Sequence, residues 1–150
     1  MIDLSGNAHL CDFGLSRICH ERTRTHTTIR EGGRVRFLAP ELSDGPEEFR
    51  TSAASDIFSL GMTFLNIWTR KPPFAEWNER KAEVAIRDGQ RPKRPATRVD
   101  LPFEMEDEFW QLIQRMWAHA AADRSSSGFV QNQLEKIFRP VLEQHKATAS

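Results

Sequence analysis

The apolar residues between Ala53 and Thr69 give the clearest structural pattern in the chain. They point to every side of a helix rather than to one face, and they are Ile57, Phe58, Leu60, Met62, Phe64, Leu65, Ile67 and Trp68. A helix that is apolar all round is normally a buried one. Pro72 and Pro73 follow soon after, and proline removes a donor and disfavours a helical residue before it. The pattern therefore predicts a buried helix over residues 53–69.

The apolar residues of the next helical segments are more regularly spaced. The best set has the i, i+3, i+4, i+7, i+8 spacing that places side chains on one face, and it comprises Phe109, Leu112, Ile113, Met116 and Trp117. This spacing predicts an amphipathic helix over about 104–118, and a shorter helix is predicted near Glu79–Asp88. The proline-rich run at 91–95 predicts an extended connector between them.

A final helix is predicted to begin beside Ser126 or Ser127, because a serine hydroxyl can accept a hydrogen bond from an unpaired N–H at a helix start. Its inward face is predicted from the spacing of four apolar residues, Val130, Leu134, Ile137 and Phe138. Pro140 is predicted to bend or end this helix, because proline lacks the N–H that the helix interior needs.

The N-terminal region has a different pattern. Apolar residues flank Ser5-Gly6-Asn7, a cluster that favours a turn, so residues 2–11 are predicted to form a short β-hairpin. Residues 15–36 carry few large apolar side chains and many Thr and Arg, which predicts a long surface loop. The predicted fold class is therefore mainly α, with a short β-hairpin at the N-terminus followed by a helical body.

Composition narrows the class of protein without identifying it. The 150 residues include 21 Lys and Arg and 21 Asp and Glu, so the net charge of zero provides no overall attraction to nucleic acid or anionic lipid. The longest apolar stretch falls short of the ~20 residues that cross a bilayer. The two cysteines are too few for a disulfide framework. Cytoplasmic or nuclear location is expected, with neither nucleic acid nor membrane as partner.

Some residues near the N-terminus could in principle bind a metal ion through nitrogen or sulfur, namely His9, Cys11, Cys19 and His20. Their spacing lacks the paired Cys-x-x-Cys or His-x-x-x-His pattern of such sites. We therefore expect these four residues not to form a metal centre.

Two tripeptides carry the main chemical clue. Asp12-Phe13-Gly14 follows an apolar segment, and Ala39-Pro40-Glu41 begins 27 residues after Asp12, with a Thr-rich, glycine-containing loop between them. This order resembles the activation segment of protein kinases. Either tripeptide alone would be weak evidence, because short motifs recur by chance.

The resemblance continues in register along the chain. Residues 33–41, 55–62 and 71–74 are similar to the end of the activation segment, the start of the central helix and the turn that follows it. Residues 89–95 and Asp123-Arg124 are similar to a late pattern of tyrosine-kinase-like Ser/Thr kinases. The chain thus resembles the C-terminal lobe of a eukaryotic protein kinase. Residues 1–150 are interpreted as a partial domain, with an activation segment at about 12–41 and a helical lobe at about 53–143.

The resemblance implies a role for several residues. Asp12, beside Phe13 and Gly14, would bind the Mg²⁺ that bridges the phosphates of ATP, and carboxylate oxygen is a ligand that Mg²⁺ prefers. Glu41 would pair with Arg124 and so tie the loop to the last helices.

Two further features of the resemblance concern the central helix and the loop. Asp56 would steady the catalytic loop of the family, and its carboxylate also suits the positive end of a helix dipole. The loop holds candidate phosphorylation sites among arginines, since a phosphate could order the segment by pairing with them. These sites are Thr23, Thr25, Thr27 and Thr28.

Other parts of the family pattern do not occur in these 150 residues. There is no Gly-x-Gly and no His-Arg-Asp, Arg34 stands where a threonine is usual, and Ser125 stands where a proline is usual. ATP and Mg²⁺ are therefore expected as cofactors of a complete domain and not of this chain alone, because phosphoryl transfer needs several positioned groups.

The expected partners are protein substrates or other kinases. An apolar flank left exposed on the central helix would favour association through that surface. The alternative interpretation is a non-catalytic, pseudokinase-like interaction module that binds kinases or their substrates without turnover.

Overall fold

The computed structural model describes residues 3, 6, 7, 9, 11, 34–43, 51–96 and 105–148. Its α-helices are α1 (Ala53–Thr69), α2 (Glu79–Arg87), α3 (Asp107–Met116) and α4 (Ser127–Thr148). Short 3₁₀ turns lie at Arg34–Phe37, Pro40–Leu42 and Ala121–Asp123. No strand occurs among the described residues, so this part of the molecule is mainly α, as predicted.

Helix α1 has the bounds that the sequence predicts, and both ends have a local cause. The Ser52 hydroxyl accepts a hydrogen bond from the Ser55 amide at 3.1 Å, and the Ser55 hydroxyl accepts one from the Ser52 amide at 2.9 Å. This reciprocal arrangement satisfies two amides at the helix start. The helix ends at Arg70, which adopts a left-handed φ of 53°.

Helices α1 and α3 approach most closely at Gly61. A Cβ atom at this position would lie only 3.1 Å from the Cβ of Met116, so glycine permits the contact. Phe58, Met62 and Ile113 are fully buried at the same interface. This interface forms the centre of the core, onto which the other helices pack.

The prediction that α1 is buried on every side is wrong at one edge. Ile67 is 69% exposed, and Leu60 and Phe64 are only partly buried. Leu60 and Phe64 pack beside Ile57 against residues of α3 and α4, whereas Ile67 stays open to solvent. An apolar residue on every side of a helix therefore does not mean that every side of the helix is buried.

Two other helices differ slightly in length from the prediction. Helix α2 ends at Arg87, with Asp88 as its C-cap. Helix α3 covers Asp107–Met116 rather than 104–118, because its N-cap is Glu106 and its C-cap is Trp117. The predicted inward residues of α3 are buried as expected. The spacing of the apolar residues therefore predicted the buried face of α3 more accurately than the two ends of the helix.

Helix α4 differs from its prediction at Pro140. The helix does not end there, since it continues to Thr148 with Pro140 in its interior, and the bend that was the other predicted outcome stays a prediction. Proline removes one N–H donor and its ring crowds the carbonyl four residues earlier, and a helix that tolerates both effects can continue beyond that position. At the start of the helix the Ser126 hydroxyl accepts a hydrogen bond from the Phe129 amide at 3.3 Å, in line with the predicted cap.

A turn is present where the N-terminal hairpin was predicted. Gly6 has a φ of 84°, and the Asp3 amide donates to the Asn7 carbonyl at 2.9 Å. The Asp3 carboxylate also accepts hydrogen bonds from the Asn7 amide and faces His9. The strands of the predicted hairpin lie largely outside the described residues, so the hairpin stays a prediction.

Candidate functional site

An ion pair joins the Pro40–Leu42 turn to the segment before α4. Arg124 Nη1 donates to Glu41 Oε1, and Arg124 Nη2 donates to Glu41 Oε2, both at 2.7 Å. Two parallel N–H···O bonds between a guanidinium and a carboxylate fix orientation as well as distance. The structure therefore brings together Glu41 and Arg124, which lie 83 positions apart in the sequence.

The remaining donors of Arg124 bind main-chain carbonyls. Nε donates to Ala118 at 2.9 Å, Nη1 to Ala54 at 3.0 Å and Nη2 to His119 at 3.1 Å. All five N–H groups of the guanidinium thus have an acceptor, and its side chain is fully buried. Arg124 consequently holds the start of α1, the turn after α3 and Glu41 in one arrangement.

The electrostatics of Glu41 follow from this contact. Its burial acts to raise the pKa, but the hydrogen bonds and positive charge of Arg124 outweigh burial, so the pKa of Glu41 lies below its ordinary value of 4.5. The Glu41 side chain remains 34% exposed, which moderates both effects. The carboxylate is charged at neutral pH, and the pair is an ion pair there.

A second arginine lies beside the first. The guanidinium carbons of Arg91 and Arg124 are 5.0 and 5.1 Å from the ring centre of Phe58, within the range of a cation–π interaction. Arg91 donates to the carbonyls of Trp117 and Ile86. Burial and the nearby charge of Arg124 lower the pKa of Arg91 to about 10, so it stays protonated at neutral pH.

A third arginine organises the connector between α1 and α2, which we define as residues 70–78. Arg36 is buried, and its Nη1 donates to the carbonyls of Pro73 at 2.9 Å and Phe74 at 2.6 Å. Its Nη2 donates to the Trp77 carbonyl at 2.6 Å. One guanidinium therefore gathers three carbonyls of the connector and attaches them to the Arg34–Phe37 turn.

The same turn is also attached to α1. The Ser59 hydroxyl donates to the Phe37 carbonyl at 2.8 Å. The segment over residues 34–42 is consequently held at three points: by Arg36 to the connector, by Ser59 to α1, and by Glu41 to Arg124. This segment ends with the Ala39-Pro40-Glu41 motif, so these contacts fix the place where the predicted activation segment closes.

Of the other predicted site residues, only Asp56 lies within the part of the chain that the structure describes. Asp56 lies in the first turn of α1 and is exposed, while Ser52 is the N-cap of that helix. The predicted magnesium-binding motif, Asp12, Phe13 and Gly14, lies outside the described residues, as do the candidate phosphorylation sites Thr23, Thr25, Thr27 and Thr28. Their proposed roles stay predictions.

Among the described residues no group of three or more His, Cys, Asp or Glu side chains could hold a metal ion. Within the same part of the chain no helix is both long and apolar enough to span a membrane.

Sequence reasoning missed Arg36 and Arg91 as organising residues. Arg36 stands between Val35 and Phe37, so a charged residue within an apolar run was the one available indication of burial. Its acceptors lie 37 to 41 residues further on, beyond the reach of local patterns. Arg91 lies in the proline-rich run, which predicted only an extended connector.

Comparison with protein families gives one match that covers most of the chain. A family model described as protein kinase domain matches residues 1–138. The match includes the residues of the site, Arg36, Glu41, Arg91 and Arg124, as well as the predicted motif at Asp12.

Comparison with individual proteins gives similar sequences in several organisms. The chain is 31% identical over 127 residues to a probable serine/threonine-protein kinase of Dictyostelium discoideum, covering 84% of this chain and 13% of that protein. It is 33% identical over 85 residues to MAP kinase kinase mkk-4 of Caenorhabditis elegans, covering 57% and 22%. It is 26% identical over 149 residues to receptor-interacting serine/threonine-protein kinase 2 of Bos taurus, covering 95% and 27%. The chain therefore spans less than a third of each relative.

Proposed function

The chain belongs to the protein kinase domain family, and from this premise we propose that it supplies the activation segment and helical lobe of a domain that phosphorylates proteins. In the complete domain the reaction is transfer of phosphate from ATP to serine or threonine hydroxyls. The names of the relatives support Ser/Thr as acceptors. The proposed subtype is tyrosine-kinase-like, on the pattern of residues 89–95 and Asp123-Arg124.

One observation supports this role most directly: the two-point ion pair between Glu41 and Arg124. It holds the end of the predicted activation segment on the helical body, in a chain that matches the family over residues 1–138. A substrate-receiving loop must be fixed in place, because a displacement of about 1 Å can cost ~10²-fold in rate. The ion pair between Glu41 and Arg124 fixes one end of this loop.

ATP and Mg²⁺ are the cofactors that the family implies for a complete domain. Asp12, next to Phe13 and Gly14, would hold the metal ion through carboxylate oxygen, which suits a hard cation. Bound Mg²⁺ neutralises charge on the phosphates as transfer proceeds. The contribution of the described residues is positional: they hold the loop that presents the protein hydroxyl.

We further propose that residues 1–150 alone do not transfer phosphate. A glycine-rich loop, a strand lysine and a His-Arg-Asp motif are the family's other ATP-site groups, and these 150 residues contain neither Gly-x-Gly nor His-Arg-Asp. One carboxylate cannot supply the positioning and charge stabilisation that phosphoryl transfer needs. Protein substrates or other kinases are the proposed partners, in the cytoplasm or nucleus.

Calorimetry with Mg·ATP and a radiolabel transfer assay test these proposals. The purified 150-residue chain should show no micromolar binding of Mg·ATP, and such binding would contradict the proposed incompetence. A longer natural product that carries residues 1–150, if the upstream reading frame encodes one, should phosphorylate Ser/Thr peptides. Asp12→Asn should abolish that activity, while Arg139→Gln on the exposed face of α4 should preserve it.

The rival function, a pseudokinase-like interaction module, predicts a different result in the same assays. No product carrying residues 1–150 would transfer phosphate, and a stable complex with a kinase or a kinase substrate would form instead. Size-exclusion chromatography of the chain mixed with purified kinases detects such a complex, and a stable complex together with no phosphate transfer by any longer product would identify the module.

A further inference from the structure

The three carbonyls gathered by Arg36 all belong to the connector at residues 70–78. Nη1 binds two of them and Nη2 binds the third, at distances of 2.6 to 2.9 Å. These distances are short for N–H···O hydrogen bonds, as expected when the donor carries charge. Among the described residues no carboxylate forms an ion pair with Arg36, so the carbonyl dipoles are its recorded partners.

The connector has a backbone that needs such a fixed point. Arg70 and Phe74 have φ values of 53° and 54°, a left-handed conformation that side chains other than glycine adopt at a cost. The Phe74 ring stacks on Trp77 with 4.8 Å between ring centres, and Lys81 Nζ lies 4.5 Å from the Trp77 ring centre. The connector thus has a defined backbone conformation in which three carbonyls bind the guanidinium of Arg36.

We propose that Arg36 is a positioning residue for the protein substrate, because it joins the Arg34–Phe37 turn to the connector so that both present one rigid surface to a peptide. The inference rests on the proposed function, in which the activation segment predicted at about residues 12–41 receives the substrate. Arg36 does not itself meet the peptide: it is 8% exposed, and both Nη atoms point into the connector.

This role differs from simple stabilisation of the fold. A residue that only adds stability can be replaced without altering peptide affinity, provided that the chain stays folded. A residue that aligns two halves of a binding surface affects affinity even when the fold survives. Lysine at position 36 would keep the charge but not the planar fork that reaches several acceptors at once.

Peptide capture tests the inference without requiring phosphate transfer. The probe is an immobilised positional library of serine and threonine peptides, exposed to the wild-type protein and to Arg36→Lys and Arg36→Met. We expect both variants to capture the preferred peptides roughly tenfold less well, equivalent to about 1.4 kcal/mol. Circular dichroism spectra should show that the helices of each variant remain folded.

A stability-matched control separates positioning from general weakening. Gly61→Ala places a Cβ atom 3.1 Å from the Cβ of Met116 in the core, and urea denaturation gives its change in unfolding free energy for comparison with the Arg36 variants. The position lies between α1 and α3, away from the contacts of Arg36 with the connector. Peptide capture by Gly61→Ala should match the wild type. Equal capture by wild type, Arg36→Lys and Arg36→Met would overturn the inference.

Kinetics of an active longer product provide an independent readout. Arg36→Lys should raise KM for the peptide roughly tenfold and leave KM for ATP nearly unchanged, because the proposal assigns the connector to the peptide surface and not to the ATP site. An equal rise in both KM values would contradict the inference. Absence of transfer by the wild type would instead contradict the proposed function, and the capture experiment would still decide the role of Arg36.

Discussion

Arg124 and Arg36 are two buried arginines that hold opposite ends of one short segment, over residues 34–42, in different ways. Arg124 combines a two-point ion pair with three carbonyl contacts. Arg36 uses three carbonyls of the connector, and among the described residues no carboxylate neutralises its charge. Within this part of the chain, Arg124 is paired with a carboxylate charge and Arg36 with carbonyl dipoles.

Because of this difference, removing one arginine or the other leaves different groups without a partner. Removal of Arg124 leaves the carboxylate of Glu41 without its partner, in addition to three carbonyls. Removal of Arg36 leaves only carbonyls unpaired within the described part of the chain, and an unpaired carbonyl costs less than an unpaired charge. The ion pair should therefore dominate stability, whereas the Arg36 contact should chiefly govern local shape.

Arg124→Met is expected to have the largest effect. Breaking a buried ion pair costs ~3–5 kcal/mol, and the partial exposure of Glu41 places the expected loss of unfolding free energy near ~3 kcal/mol. Urea denaturation of the 150-residue chain measures this loss. Arg139→Met, at an exposed position on α4, should change stability by less than ~0.5 kcal/mol, and a similarly small loss at Arg124 would refute the ranking.

Arg36→Met is expected to come second. Its three acceptors lose a charged donor, and hydrogen bonds to charged groups contribute about 1.5–3 kcal/mol, so a loss near ~2 kcal/mol is expected. Hydrogen exchange measured by mass spectrometry should accelerate at the connector more than at α3. Uniform acceleration throughout the helices would show that Arg36 supports the whole fold instead of the connector.

The sequence predicted the helices better than the contacts between these polar groups. Helix α1 has its predicted bounds, because its apolar run and the prolines after it are local features. The exposure of Ile67 was not predictable from that run, since it depends on which neighbours pack against the helix. The sequence allowed Pro140 either to bend or to end α4, and the helix does not end there.

The candidate site was predictable only in part, for a related reason. The pairing of Glu41 with Arg124 was expected from the family resemblance, and no rule of spacing could have produced a contact across 83 positions. Arg36 and Arg91 bind main-chain carbonyls, which every residue carries, so no distinctive partner residue marks their acceptors in the sequence. The roles of Arg36 and Arg91 depend on which carbonyls the fold brings near them, and no local sequence pattern indicates this.

Acid should weaken the Arg124 contact selectively. The pKa of Glu41 is depressed in the folded chain, so its contribution to stability is present above its ordinary pKa of 4.5 and is lost as pH falls through the lower folded value. The stability difference between wild type and Glu41→Gln should be constant above about pH 5 and should shrink below about pH 4.5. A difference that grows on acidification would contradict this assignment.

The coupling between the two arginines should be the smallest effect. Their carbonyl acceptors are separate, since Arg36 binds the connector whereas Arg124 binds the start of α1 and the turn after α3. Losses at sites without shared partners usually add to within ~0.5 kcal/mol. The double variant Arg36→Met/Arg124→Met, measured by urea denaturation beside both single variants, should therefore lose the sum. An interaction energy above ~1 kcal/mol would mean that residues 34–42 transmit displacement from one end to the other, so that the ion pair also helps to position the connector.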